Sequence, residues 1–247
     1  MSHGRTALVT GASRGIGKGI SLSLARQGFG LTITSRSDAD LTHLAEELRE
    51  AGAPQVMHAA ADMSDREALP ELVELHARTF GSMNALVANA GVGTMGSVID
   101  FPMHRVDKTL HINLVAAMVL IQAALPLLRL GAEQDPERGA TIIGLSSITG
   151  VFPEAGLALY GATKAALISL IETVNLEEAP YGVTATAIAP GYVNTDMSAW
   201  KTDTVPVESM IRVADVVAVA NMLLDLGAAT SITRIVMARR GSAGHQA

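Results

Sequence analysis

The segment Thr6-Ala7-Leu8-Val9-Thr10-Gly11-Ala12-Ser13-Arg14-Gly15-Ile16-Gly17 sets the architecture of the chain. An apolar run of strand length breaks at Gly11, and helical periodicity takes over across residues 14–27. Glycine at Gly11, Gly15 and Gly17 lets the backbone turn sharply and come close to a bound group. A helix N-terminus offers unpaired N–H groups and the positive end of a dipole. A strand, such a turn and a helix in succession therefore make a cradle for a dinucleotide pyrophosphate. The spacing here is Gly-x-x-x-Gly-x-Gly in place of the commoner Gly-x-Gly-x-x-Gly, so the strand and helix on either side carry much of the argument.

Working outward, the same strand-to-helix step recurs. Further strands are expected at 31–35, 55–60, 85–88, 140–145, 183–189 and 232–237, with helices at 39–51, 65–80, 106–128, 156–178 and 214–226. This alternation predicts an α/β protein: a single-domain Rossmann fold over residues 1–247, a doubly wound seven-stranded parallel sheet with helices on both faces. Ser64-Asp65-Arg66-Glu67 reads as a capping box opening the third helix, and Gly28, Gly52 and Gly81 stand where helices should stop. Residues 131–139 read as a hydrophilic surface loop.

The 247 residues carry a net charge of −6, no cysteine, and only one Trp, three Tyr and four Phe. Without cysteine there is no disulfide, thiolate nucleophile or cysteine-ligated metal. The acidic balance and scarce aromatics exclude nucleic acid as a main partner. The longest apolar run, 114–128, is interrupted by Gln122 and Pro126 and is short for a membrane span, and no secretory segment precedes the first strand. A cytoplasmic protein without membrane attachment is expected. His104, Asp107 and His111 share a helical spacing but lack a metal-site pattern, so no metal is expected.

A site for NAD would present an acidic residue about twenty residues beyond the glycine turn. Ser35-Arg36 stands there instead. Arg36 and Arg14 suit the 2′-phosphate of NADP(H), which is expected to be preferred over NAD(H). Farther on, Tyr160 and Lys164 fall four apart on one helical face. A phenol exchanges a proton near neutrality only with a positive neighbour, and Lys164 is spaced to supply one. Ser146-Ser147 ends the fifth strand, Asn89-Ala90-Gly91 ends the fourth, and Asn113 lies in the helix that follows. The two strand ends, at Ser146-Ser147 and Asn89-Ala90-Gly91, fall at the carboxyl edge of the sheet, where open α/β folds bind ligands.

Thr10 to Gly17, Asp62, Asn89-Ala90-Gly91, Asn113, Ser147, Tyr160-x-x-x-Lys164 and Pro190-Gly191-Tyr192-Val193-Asn194-Thr195 run in one order along the chain. In this it resembles the short-chain dehydrogenase/reductase family, and within it the 3-oxoacyl-carrier-protein reductases. The resemblance implies an oxidoreductase that reduces a ketone, a 3-oxoacyl thioester or another small apolar carbonyl compound, to a secondary alcohol. It implies Tyr160 as proton donor, Lys164 lowering its pKa, Ser147 polarising the carbonyl and Asn113 anchoring a proton relay. It also implies a cofactor site of Gly11, Ser13, Arg14, Gly15, Ile16, Gly17, Arg36, Asp62, Met63, Asn89, Ala90, Gly91, Tyr160, Lys164, Pro190, Gly191, Val193 and Thr195. An alcohol dehydrogenase running toward oxidation, or a dinucleotide sensor without turnover, are the alternatives.

Three further expectations concern shape. The loop near 191–211 is shorter than in many relatives and predicts an open pocket. Its candidate lining includes Met95, Thr149, Phe152, Tyr192, Met197 and Trp200, with Arg105, Arg129 and Lys201 as possible basic rim residues for a carrier-bound substrate. Small residues Ala116, Ala117, Ala123 and Ala124, and Ala162, Ala165 and Ala166, would allow two long helices to meet their copies in a homodimer or homotetramer.

Overall fold

The computed structural model describes residues 4–242. Strands β1 (Thr6–Thr10), β2 (Gly30–Ser35), β3 (Val56–Ala60), β4 (Ala85–Ala88), β5 (Ala140–Leu145), β6 (Val183–Pro190) and β7 (Arg234–Met237) form one sheet in the order β3-β2-β1-β4-β5-β6-β7. Every neighbouring pair is parallel. Each connection therefore crosses over through a helix: α1 (Gly15–Arg26), α2 (Asp38–Ala51), α3 (Leu69–Phe80), α4 and α5 (Met103–Leu110 and Ala116–Gln134), α6 (Ala158–Glu178) and α7 (Val213–Asp225). Strands β1, β2, β4 and β5 are buried throughout, which is why they read as nearly continuous apolar runs without alternation.

Two apolar layers cover the sheet. One holds Ile20 and Leu24 of α1, Leu44 and Leu48 of α2 and Leu223 of α7. The other holds Leu72 of α3, Leu120 and Ile121 of α5 and Leu167 and Ile171 of α6. The order of strands reverses between β1 and β4, so the carboxyl ends of these two strands flank the crevice where such sheets receive ligands.

Gly28, Gly52 and Gly81 all have positive φ where helices end, as the spacing predicts. Ser64-Asp65-Arg66-Glu67 makes no capping box. The Ser64 hydroxyl and N–H both donate to Asp62, at 2.7 and 2.8 Å, and α3 begins only at Leu69, behind an Ala68 cap that makes no side-chain bond. The fourth helix is longer than its sequence signal. It runs from Met103 to Gln134 with a π turn at His111–Val115, passing through Pro126 and Gly131. Gly131 is a point of close approach and not a stop: a Cβ there would lie 2.0 Å from the Met83 carbonyl oxygen. The expected surface loop accordingly loses its first residues to the helix. This rod is long and apolar enough by length and composition to cross a membrane. Its apolarity has a local cause, since Ala116, Ala117, Leu120, Ile121, Ala124 and Leu128 are buried on the sheet. Ala116, Ala117 and Ala124 are thereby spent inside the subunit and are not available to a second copy.

Candidate active site

The glycine turn is built as its sequence requires. Gly11 and Gly15 take φ of 62° and 55°, and a Cβ on Gly17 would stand 2.3 Å from the Gly11 carbonyl oxygen. At the start of α1 the cap residue Arg14 makes no side-chain bond to the helix, and the first turn holds no acidic residue. The N–H groups there lack a protein acceptor of the usual capping kind, which fits a dinucleotide phosphate. Ser13 and Ile16 flank the turn, half-buried.

Asn89, Ala90 and Gly91 hold this turn from below. The Asn89 amide donates to the Thr10 and Gly11 carbonyls at 2.9 and 3.1 Å, while the N–H groups of Asn89 and Ala90 both donate to the Thr10 hydroxyl at 3.0 Å. Their polar groups are thus engaged with the protein and fix the cradle's shape. Across the turn, Pro190 ends β6, the Gly191 N–H donates to the Met237 carbonyl at 2.8 Å and Val193 bridges to Ile211. The Thr195 methyl lies 3.2 Å from where a Cβ on Gly15 would be, so the 190–195 segment passes against the cradle.

The groups expected at the adenosine end divide. Asp62 is held below the usual carboxylate range, first by the Ser64 N–H and hydroxyl and then by the charges of Lys108 and Arg36. Arg36, exposed just past β2, therefore lies within electrostatic reach of Asp62. Met63 is 7 % exposed and belongs to the core. Arg14 is turned elsewhere: it pairs with Asp196 at 3.1 Å, both side chains being largely exposed.

The proton-handling residues come together between β5 and α6. The Ser147 hydroxyl oxygen accepts from the Thr149 N–H at 3.2 Å and from its hydroxyl at 2.9 Å. With its lone pairs so engaged, the Ser147 hydroxyl keeps its own proton to donate, and its presence lowers the Tyr160 phenol's pKa. Tyr160 starts the first turns of α6 and Lys164 follows one turn later, with its Nζ 5.8 Å from the Tyr160 ring centre. The Lys164 ammonium donates to the Leu145 carbonyl at 2.7 Å, and the Ser146 hydroxyl donates to the Lys164 carbonyl at 2.8 Å. A Cβ on Gly91 would stand 3.3 Å from Lys164 Nζ and 3.4 Å from Asn113 Oδ1, so glycine there keeps the two side chains facing one gap.

Burial shifts both partners. It pushes the Tyr160 phenol up, against the smaller downward pull of the Ser147 bond, and it brings Lys164 down to about 8. The Lys164 ammonium is bound to the Leu145 carbonyl and lies 5.8 Å from the Tyr160 ring centre. Asn113 sits in the π turn with every polar atom engaged: Oδ1 accepts from the Val92 N–H at 2.8 Å, and Nδ2 donates to the Val92 carbonyl at 3.0 Å and the Thr163 hydroxyl at 3.1 Å. It ties the loop after β4 to α6.

The 191–211 segment is short but not formless. It winds into 3₁₀ turns at Asp196–Lys201 and Val207–Ser209 and buries Tyr192, Val205 and Met210 as a cluster of its own. The Tyr192 ring meets Trp200 edge-on at 6.0 Å, and its hydroxyl donates to Glu154 at 2.8 Å. Glu154 escaped the sequence reading because it matches no motif, and a lone glutamate between a strand and a helix looks like any solvated side chain. Thr94 escaped for the same reason, although its buried hydroxyl has no partner among the described residues.

A glycine cradle at the switch point, beside a serine, a tyrosine and a lysine aimed at one gap, defines an oxidoreductase that uses a nicotinamide dinucleotide on CH–OH and C=O groups. The short chain dehydrogenase family profile matches residues 5–205, and the chain belongs to that family. It is 35% identical over 198 residues to a D-beta-hydroxybutyrate dehydrogenase of Cupriavidus necator, covering 80% of this chain and 74% of that one. It is 33% identical over 195 residues to a 3-oxoacyl-acyl-carrier-protein reductase of Staphylococcus epidermidis, covering 78% and 77%. A short chain dehydrogenase of Burkholderia cenocepacia, solved with NADP, superposes with a TM-score of 0.84 at 28% identity, over 97% of this chain and 98% of that one.

Proposed function

We propose that this enzyme is an NADPH-dependent carbonyl reductase acting on a neutral, largely apolar ketone. The observation that carries the reading is the convergence of Ser147, Tyr160 and Lys164 on one gap beside the glycine cradle. When bound, the dinucleotide supplies the hydride. The first turn of α1, with Gly15, Ile16 and Gly17, holds its pyrophosphate. Arg36 reads the 2′-phosphate beside Asp62. The Ser147 hydroxyl, backed by Thr149, orients the substrate carbonyl. Tyr160 gives that oxygen a proton, and the Lys164 ammonium stabilises the phenolate left behind. Asn113 keeps the loop after β4 and the Lys164 side of α6 in register. Burial raises the phenol's pKa and so keeps it protonated, the form that can donate to a carbonyl oxygen.

The walls support an apolar substrate. Met95, Met197 and Trp200 are 54%, 48% and 47% exposed, and the first two lie against Gly156 and Gly93. The basic residues that would greet a carrier-bound substrate are already engaged. Arg129 binds Glu178 through two bonds of 2.8 Å and stacks on Tyr181, Arg105 lies over the Phe101 ring, and Lys201 pairs with Glu154. A small ketone is thus favoured over a 3-oxoacyl group on a carrier. Met118 on α5, and Leu176 and Tyr181 at the end of α6 and just beyond, leave apolar surface exposed; a second subunit would cover it.

Consumption of NADPH with a panel of ketones tests the reading, and binding of NADPH without turnover of any ketone would favour the sensor. The cofactor preference has its own test. Arg36→Asp should reverse the NADPH-over-NADH ratio of kcat/KM, by about a hundredfold, through loss of one charge-assisted phosphate contact and gain of a repulsion. An unchanged ratio would show that Arg36 does not read the phosphate.

A further inference from the structure

Three separate segments meet on one oxygen at the substrate side of the cleft. Glu154, from the loop between β5 and α6, accepts from the Tyr192 hydroxyl at 2.8 Å and from the Lys201 ammonium at 3.3 Å, both at Oε1. Tyr192 follows β6, and Lys201 ends the first 3₁₀ turn of the 191–211 segment. The Lys201 and Glu154 side chains are each only 25% exposed, unlike the open Arg14 and Asp196 pair. The Lys201 ammonium also lies 5.3 Å from the centres of both the Tyr192 and Trp200 rings. The place adjoins the chemistry, because Glu154 lies in the loop that runs from Ser147 to Tyr160.

Two features separate this cluster from a pair that merely stabilises the surface. Exposed ion pairs contribute little, whereas this one is largely shielded by two aromatic rings. The other Glu154 oxygen, Oε2, is buried and has no hydrogen-bond partner among the described residues. An unsatisfied buried carboxylate oxygen costs stability, so the position is a poor one for glutamate on structural grounds alone. What the carboxylate does accomplish is to neutralise Lys201, the cation that lies against both the Tyr192 and Trp200 rings, on a side of the cleft where Arg239 also acts on Tyr192. A lysine in that place, if uncompensated, would be a ready partner for an anionic substrate group.

We infer that Glu154 is a specificity-determining residue: by neutralising Lys201 at the cleft, it makes the enzyme select neutral ketones over ketones that carry a carboxylate. The inference rests on the carbonyl reductase reading and sharpens it. Selection here comes from what the site withholds from the wrong substrate as much as from what it offers the right one.

The test compares kcat/KM for a 3-oxo acid, acetoacetate, with that for its ethyl ester, using NADPH. The wild-type enzyme should prefer the ester. Glu154→Gln keeps an acceptor for Tyr192 but leaves Lys201 uncompensated, and should shift the acid-to-ester ratio toward the acid by about tenfold, the size expected of one partly shielded charge contact. Adding Lys201→Met to that variant should cancel the gain. Lys201→Met alone leaves Glu154 bare and should move the ratio the other way, by about fivefold. This second variant serves even if Glu154→Gln fails to fold, and the NADPH dissociation constant reports folding in each. A wild-type preference for the acid, a ratio unmoved in folded Glu154→Gln, a gain that survives loss of Lys201, or a ratio in Lys201→Met that is unchanged or higher would each overturn the assignment. Failure of the wild-type enzyme to turn over any ketone overturns the parent reading, and this one with it; turnover with unmoved ratios overturns this one alone.

Discussion

Tyr160→Phe should lower turnover of a ketone by about a thousandfold while leaving NADPH affinity within about a factor of three. Phenylalanine keeps the ring and removes the one group that can give a proton to the carbonyl oxygen. The neighbours cannot substitute for it. Ser147 has its oxygen held by the Thr149 N–H and hydroxyl, and Lys164 is bound to the Leu145 carbonyl. Tyr192, the other tyrosine of the region, has its proton committed to Glu154, and burial and that carboxylate both hold its phenol well above the ordinary range. Stopped-flow reduction with cofactor fluorescence separates the two quantities. Turnover within tenfold of wild type would remove Tyr160 from the proton-transfer step.

Lys164→Met should lower kcat/KM by about a hundredfold, and the wild-type rate should itself fall as pH rises through about 8. The sign follows from the charge type. A lysine is cationic below its pKa, and burial with no compensating anion has moved that pKa down from its ordinary value to about 8. Below this pH the ammonium can support the phenolate that forms as Tyr160 loses its proton; above it the amine is neutral and that support is gone. Methionine has similar length and no charge, so the variant should be slow at every pH and should lack the step near 8. The pH profile distinguishes this role from a packing role, which would slow the enzyme without removing the step.

The strands at the centre of the sheet were legible because buried parallel strands read as largely apolar runs, and Thr10 to Gly17 located the cradle directly. Where the sequence misled, the cause was a local group that two environments can use. Ser64 has the spacing of a capping residue, yet its hydroxyl goes to Asp62. Residues 131–139 read as a surface loop, yet Gly131 lies inside the helix, small so that the rod can lie against Met83. Ala116, Ala117 and Ala124 suited a contact between subunits, but small residues equally suit a helix lying close on its own sheet. The site divides in the same way. Ser147, Tyr160 and Lys164 sit in a fixed spacing that a reader of sequence can find. Glu154 and Lys201 are 47 residues apart and acquire meaning only when the fold sets them on one oxygen.

In the proposed reaction a hydride passes from the nicotinamide to a carbonyl carbon while this chain manages the proton. Reduction of a ketone with NADPH deuterated at the transferring position of its nicotinamide ring, followed by mass spectrometry of the product, tests it directly. The account predicts one deuterium on the carbinol carbon of the alcohol and none elsewhere, with the signal lost in Tyr160→Phe. Alcohol formed without deuterium at that carbon, or bound NADPH that is never consumed with any ketone, would contradict it.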